Sequence, residues 1–169
     1  MPYHYTRDPL TPDEVTRYIS ASHPGDERLI ICTLLDTGLR VSEFASLTKD
    51  CIDFQSHDLS IIGKGKKPRR IPISTRLREL LESYLIAHDS ISIGPRQIQR
   101  IVAKVARRAK IKSKVTPHVL RHTFAKSALA RGVTLPALMR LLGHTNLQTT
   151  AIYLNLSYGD VKKEFDDKW

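Results

Sequence analysis

The chain has 169 residues, with 27 Lys or Arg against 17 Asp or Glu and a formal net charge of +10. That length suits one domain with its own core and is short for two with a linker, and its Leu, Ile, Val and Phe content lies well above that of chains that stay disordered. The longest nearly uninterrupted apolar run, 29–35, is far short of a membrane span, and Met1-Pro2-Tyr3-His4 lacks the basic-then-apolar pattern of a secretion signal, so a soluble cytoplasmic protein is expected.

The charge is unevenly placed. Between Ser60 and Arg131 stand 18 Lys or Arg against only Glu79, Glu82 and Asp89, which makes the middle of the chain a polycation. Such a segment attracts a phosphodiester backbone by Coulomb forces and counterion release, whatever the base sequence. Cys32 and Cys51 form no CxxC pair and have no neighbouring ligands at zinc spacing, so two buried reduced thiols are expected.

In chain order, Thr11-Pro12-Asp13-Glu14 supplies a hydroxyl cap, a first-turn proline and a glutamate at the third helical position, predicting a helix over 12–19. A second helix follows from about Asp26, with the dense apolar stretch 29–35 in the core and Gly38 at its end. Ser42 reads as the cap of a short helix through Leu47. From Cys51 the period becomes strand-like: 52–54, 59–62 and 70–73 are short, rich in Ile and separated by turn residues, which predicts a three-stranded antiparallel meander. Helices return over 75–87, 95–109, 117–130, about 135–142 and 146–154, with Ser74, Thr116, Thr134 and Thr145 as caps. The 88–95 connection is compact. In the tail, Val161, Phe165 and Trp169 are spaced four apart and form an apolar stripe, suited to docking on this domain or a neighbour. The fold class is therefore mainly helical α+β with one small sheet.

Four fragments could carry chemistry. Arg40 sits on the glycine turn of Thr37-Gly38-Leu39-Arg40-Val41-Ser42-Glu43, within reach of Glu43, where a guanidinium offers forked donors to phosphate oxygens or simply pairs with that carboxylate. The hairpin tip Gly63-Lys64-Gly65-Lys66-Lys67-Pro68-Arg69-Arg70 carries cations on a mobile turn but lacks the phosphate-loop pattern. In Thr116-Pro117-His118-Val119-Leu120-Arg121-His122, His118 and Arg121 share a face near a helix N-terminus, a place that favours an anion. His122 lies four residues from His118, but no carboxylate or thiol completes a metal set. Finally, His144 and Tyr153 are nine residues apart, which on one unbroken helix would put them on opposite faces, about 180° apart. Gly143 and the Thr145-Asn146 cap supply the break that lets them converge.

The series Arg40, Lys64, His118-x-x-Arg121, His144 and Tyr153, carried by TGLRVSE, IIGKGKKPRRIPI, TPHVLRHTFA and LLGHTNLQTTAIYLN, resembles the tyrosine recombinase (phage integrase) family. The resemblance implies a catalytic domain over 1–169, without the N-terminal helical domain that clasps the far side of DNA in this family. It implies Tyr153 as nucleophile on a phosphodiester, giving a 3'-phosphotyrosyl link and a free 5'-hydroxyl, with Arg40 and Arg121 on the non-bridging oxygens. His118 would accept a proton, His144 would add a hydrogen bond, and Lys64 would protonate the leaving oxygen, with Lys66 as its nearby competitor. No ATP, metal or other cofactor is implied. Double-stranded DNA is the implied partner, held also by Lys66, Lys67, Arg69, Arg70, Arg100, Lys104, Arg107 and Arg108. The expected setting is a tetramer on DNA in a prokaryotic, nucleoid-associated cytoplasm, with no membrane and no small-molecule substrate. A noncatalytic DNA-binding relative would keep the basic face but would have no need of Tyr153 beside His144. An RNA-binding domain has no signature in the sequence to support it.

Overall fold

The computed structural model describes residues 8–62 and 68–143. Its elements are helices α1 (Pro12–Ala21), α2 (Asp26–Thr37) and α3 (Val41–Ala45), strands β1 (Ile52–Asp53), β2 (Asp58–Ile62) and β3 (Pro68–Pro72), then helices α4 (Thr75–Ala87), α5 (Pro95–Arg108), α6 (Pro117–Ala130) and α7 (Leu135–Leu142). A single 3₁₀ turn, Lys49–Cys51, leads into β1. The expected helix over 146–154, its cap Thr145, the stripe of Val161, Phe165 and Trp169, and the tip Gly63 to Lys67 lie outside the described residues.

Most ends follow local chemistry. Thr11 accepts from the Glu14 N–H while the Glu14 carboxylate accepts from the Thr11 N–H, closing a capping box on α1. Ser74, Thr116 and Thr134 each accept from the N–H three residues on, starting α4, α6 and α7. The short helix is a correction. It starts at Val41 rather than after Ser42, because the Glu43 carboxylate accepts the Arg40 N–H at 2.7 Å and makes Arg40 the cap.

Helix α2 is the hub. Leu29, Ile30, Ile31, Cys32, Thr33, Leu34 and Leu35 are all buried, so the helix is enclosed on every side, and α4, α5 and α6 pack around it. Cys32 is accordingly buried, whereas Cys51, expected inside, is only half-buried; both thiols are free. Buried Tyr18 donates its hydroxyl proton to the Val102 carbonyl at 2.8 Å, tying α1 to α5.

The meander has order β1-β2-β3, all antiparallel. Its strands are shifted from the expected ones, because β2 starts at Asp58 and β3 at Pro68. Cross-strand pairs Leu59↔Ile71 and Ile61↔Arg69 share the core-facing side, while Ser60↔Arg70 faces out. The compact 88–95 connection closes by pairing Thr48 with Ser90 and burying Ile91 and Ile93.

A smaller apolar cluster joins α6 to α7: Ala125, Ala128, Leu138 and Leu142, with Phe124, Leu129 and Val133 against it. Gly38, which ends α2 at φ 61°, lies on this cluster, and a Cβ there would stand 2.4 Å from Phe124 Cδ1 and 3.0 Å from Leu142 Cδ2.

Two polar clasps fix the outer helices. Asp36 accepts from Arg76 and from Ser74, holding α4 to the end of α2. Glu27 accepts from Arg108 at 2.6 and 3.1 Å, from the His23 N–H at 3.0 Å, and pairs with Lys104 at 3.2 Å. The Arg108 bonds, ahead of the opposing effect of burial and with help from His23 and Lys104, pull the Glu27 carboxyl down to about 2.

Gly38→Ala should therefore destabilise the domain by about 2–4 kcal/mol, from left-handed backbone strain plus overpacking against Phe124; thermal or urea melts read it directly. Glu27 stays ionised to lower pH in the folded chain than in the unfolded one, so its contribution is present above about pH 4.5 and disappears as pH falls toward about 2. Glu27→Gln should be less stable than the parent at pH 7, with the difference shrinking on acidification through that window in melts run from pH 7 to pH 2.

Candidate active site

The turn after α2, strand β3 and helix α6 converge on one carboxylate. Glu43 is 8% exposed, yet it takes charge from three guanidinium groups. Arg69 approaches as a two-pronged fork, Nη1 to Oε1 at 3.0 Å and Nη2 to Oε2 at 2.9 Å. Arg40 donates Nη1 to Oε1 at 3.0 Å as well as its backbone N–H to Oε2. Arg121 brings Nη1 to 4.0 Å from Oε2. Burial alone would push the Glu43 carboxyl up, but the bonds from Arg69 and Arg40 and their charges outweigh it and hold it below the usual carboxylate range. It is an anion at neutral pH, surrounded by more positive charge than it cancels.

The fold explains each arrival. Gly38 turns the chain out of α2 in left-handed geometry, and the Arg40 side chain emerges 39% exposed beside α3. Arg121 lies one turn into α6 and is buried, donating Nη1 to the Gly38 carbonyl at 2.6 Å and Nη2 to the Leu142 carbonyl at 2.7 Å. It thus clamps the C-terminal ends of α2 and α7, where unpaired carbonyls and the helix dipoles favour a cation. His118, in the first turn of α6 and three residues before Arg121, is exposed. The chemistry open to this arrangement is that of an anion site. Guanidinium donors on a rigid frame, with an imidazole one helical turn away, suit a phosphate oxygen and the proton moved near it.

Of the sequence-predicted residues, the structure brings Arg40 and Arg121 together on Glu43 and sets His118 on the helix of Arg121. Lys64, Lys66, Lys67, His144 and Tyr153 lie outside the described residues. Two expected DNA contacts are paired within the protein. Arg69 is 10% exposed, with its fork on Glu43 and its Nε on the Leu141 carbonyl at 2.9 Å. Arg108 is turned onto Glu27 and the Ala21 carbonyl. Arg70 points outward, and Arg100, Lys104 and Arg107 are exposed on the side of α5 opposite Ile98, Val102 and Val105. Arg96 extends that stripe by one turn and was missed in the sequence. Its spacing of four from Arg100 was the available signal. The inward turn of Arg69 was also legible. It stands two residues before Ile71, hence on the same face of a strand.

Among the described residues no cluster of His, Cys, Asp and Glu could hold a metal ion, and no helix is long and apolar enough to cross a membrane.

The sequence profile of the phage integrase family matches residues 9–159. The tyrosine recombinase XerA of Thermococcus onnurineus is 37% identical over 172 residues, covering 91% of this chain and 60% of that protein. The crystal structure of XerA recombinase superimposes with a TM-score of 0.81 at 31% identity, covering 95% of this chain and 65% of that one. The XerH site-specific recombinase bound to its difH substrate shares the fold, with a TM-score of 0.78 at 20% identity, covering 94% of this chain and 54% of the other. The chain spans less than two thirds of the length of these relatives. With the profile running through residues 9–159 and these relatives covering more than nine tenths of the chain, the chain belongs to the phage integrase family, as a tyrosine recombinase catalytic domain.

Proposed function

We propose that this domain cuts and rejoins DNA strands by transesterification through Tyr153, as the catalytic part of a site-specific recombinase. The observation that carries the reading is the buried Glu43 carboxylate with three guanidiniums gathered on it, one of which, Arg121, lies a helical turn from exposed His118. Attack of the Tyr153 Oη forms an O–P bond and breaks the bond from phosphorus to the 5'-oxygen. The tyrosine proton passes to His118. The leaving 5'-oxygen takes a proton from Lys64, with Lys66 the neighbouring alternative. Arg40 and Arg121 offset the charge that builds on the non-bridging oxygens, and His144 adds a hydrogen bond to one of them. A 5'-hydroxyl from another strand then reverses the step, so the phosphodiester energy is kept and neither ATP nor a metal ion enters the balance.

Duplex DNA is the substrate and partner, a reading supported by the likeness of the fold to XerH bound to its difH substrate. Arg70 and the exposed stripe Arg96, Arg100, Lys104 and Arg107 supply backbone contacts. Lys66 and Lys67 add to them from the hairpin. Assembly is as a tetramer on DNA, in a prokaryotic cytoplasm and associated with the nucleoid.

Covalent trapping tests the chemistry. Nicked suicide duplexes from a randomised pool, incubated in EDTA, should yield a denaturation-resistant protein–DNA adduct with the parent chain and none with Tyr153→Phe, which should still bind. Duplex binding without an adduct from any substrate would favour a noncatalytic DNA-binding relative. Arg40→Ala should slow adduct formation at saturating protein by about 10²–10³-fold, the usual cost of losing one preorganised donor to a developing oxyanion. The paired change Arg100→Gln and Arg107→Gln should reduce the slope of log K against log salt by roughly 2, as expected for two lost phosphate contacts, with the adduct rate at saturation unchanged.

A further inference from the structure

Arg69 is a cation of the basic segment that faces the interior. The register of β2 and β3 places it opposite Ile61 and on the same side as Ile71, on the core-facing side of the sheet, where it is 10% exposed. All three of its nitrogens are engaged. Nη1 and Nη2 chelate the Glu43 carboxylate at 3.0 and 2.9 Å, and Nε donates to the Leu141 carbonyl at 2.9 Å. Glu43 in turn holds both the backbone and the side chain of Arg40. Gly143, the left-handed residue that ends α7 at φ 64°, lies directly against the same guanidinium. A Cβ there would stand 3.1 Å from Arg69 Nη1 and 3.2 Å from Cδ.

We infer that Arg69 is a positioning residue for phosphate binding: by chelating Glu43 it fixes the carboxylate that aims Arg40, and by its bond to Leu141 it locks that assembly to the end of α7. This rests on the strand-transfer reading above, because Arg40 has a phosphate to receive only if that reading holds.

The physical basis is geometric. A carboxylate whose side-chain partner was Arg40 alone could turn with that partly exposed side chain. A planar fork from a strand of the sheet removes the rotation, because two parallel N–H···O bonds set both the plane and the position of the carboxylate. Lysine cannot reproduce this, since a single ammonium cannot chelate both oxygens and also donate to Leu141 in the same plane. Arg69 never reaches the phosphate in this account. Its effect on the phosphate passes through Glu43 and Arg40, and it should show only when the substrate carries the charge that Arg40 offsets.

The test compares the parent chain, Arg69→Met, Arg69→Lys and Arg40→Ala on the suicide duplex recovered from the pool, with either an ordinary phosphate or a neutral methylphosphonate at the scissile position. Melting curves accompany each variant. Arg69→Met should slow adduct formation on the phosphate by about 30-fold and on the methylphosphonate by less than about threefold, the same pattern as Arg40→Ala. Arg69→Lys, which keeps the buried charge, should follow Arg69→Met and give no rescue. Equal slowing on both substrates, full activity of Arg69→Met, or rescue by lysine would overturn the proposal.

A second readout needs no cleavage. The Glu43 carboxyl, followed by carbon NMR during an acid titration, should have a higher midpoint in Arg69→Met than in the parent, and the Arg40 Nε–H resonance should shift with it. An unmoved midpoint overturns the link from Arg69 to Glu43. A parent chain that forms no adduct on either substrate counts against strand transfer, while the titration still decides whether Arg69 governs Glu43.

Discussion

One buried carboxylate organises this domain. Glu43 is an ion taken out of water, which is tolerated only because guanidiniums from three separate parts of the chain reach it. The arrangement works in both directions. The carboxylate keeps three like charges close together without forcing them apart, and they keep it ionised. What results is a pre-assembled cationic site, whose reorganisation cost is met when the chain folds rather than when a phosphate arrives. Arg121 extends the same logic to the backbone by clamping the C-terminal carbonyls that end α2 and α7.

The site is built across a boundary between strong and weak packing. Helix α2 lies in the large core and is buried on every side, whereas α7 buries only Leu138 and Leu142 and joins α6 through a small cluster. Among the described residues Leu141 adds a contact to the large core, and two arginine bonds reach the last carbonyls of α7. Gly38 explains why these parts can come so close. Its missing Cβ makes room for Phe124 and Leu142, so the turn that bears Arg40 sits directly against the helix pair that bears Arg121 and the end of α7.

Much of this was legible in the sequence because it is local. Thr11, Ser74, Thr116 and Thr134 announce their helices through hydroxyl caps, and the motif around Arg40 already placed Glu43 within reach of it. What escaped was long-range. A run of cations in Pro68-Arg69-Arg70 reads as one basic patch, and only strand alternation relative to Ile71 separates the inward Arg69 from the outward Arg70. Nothing in the local sequence of Arg108 reveals that Glu27 waits on another helix. The start of α3 was misplaced for a related reason. Ser42 is a good cap by residue type, but Glu43 already satisfies the backbone one residue earlier.

The account turns on the negative charge of Glu43, and Glu43→Gln isolates it, since the substitution keeps the shape and removes the ion. Three guanidiniums would then face a neutral amide, and a broken buried pair costs about 3–5 kcal/mol. Melting temperature and the rate of covalent DNA adduct formation, measured on the same preparation at neutral pH, should both fall. A variant as stable and as active as the parent would show that the arginines hold their places without the carboxylate, and would contradict the account.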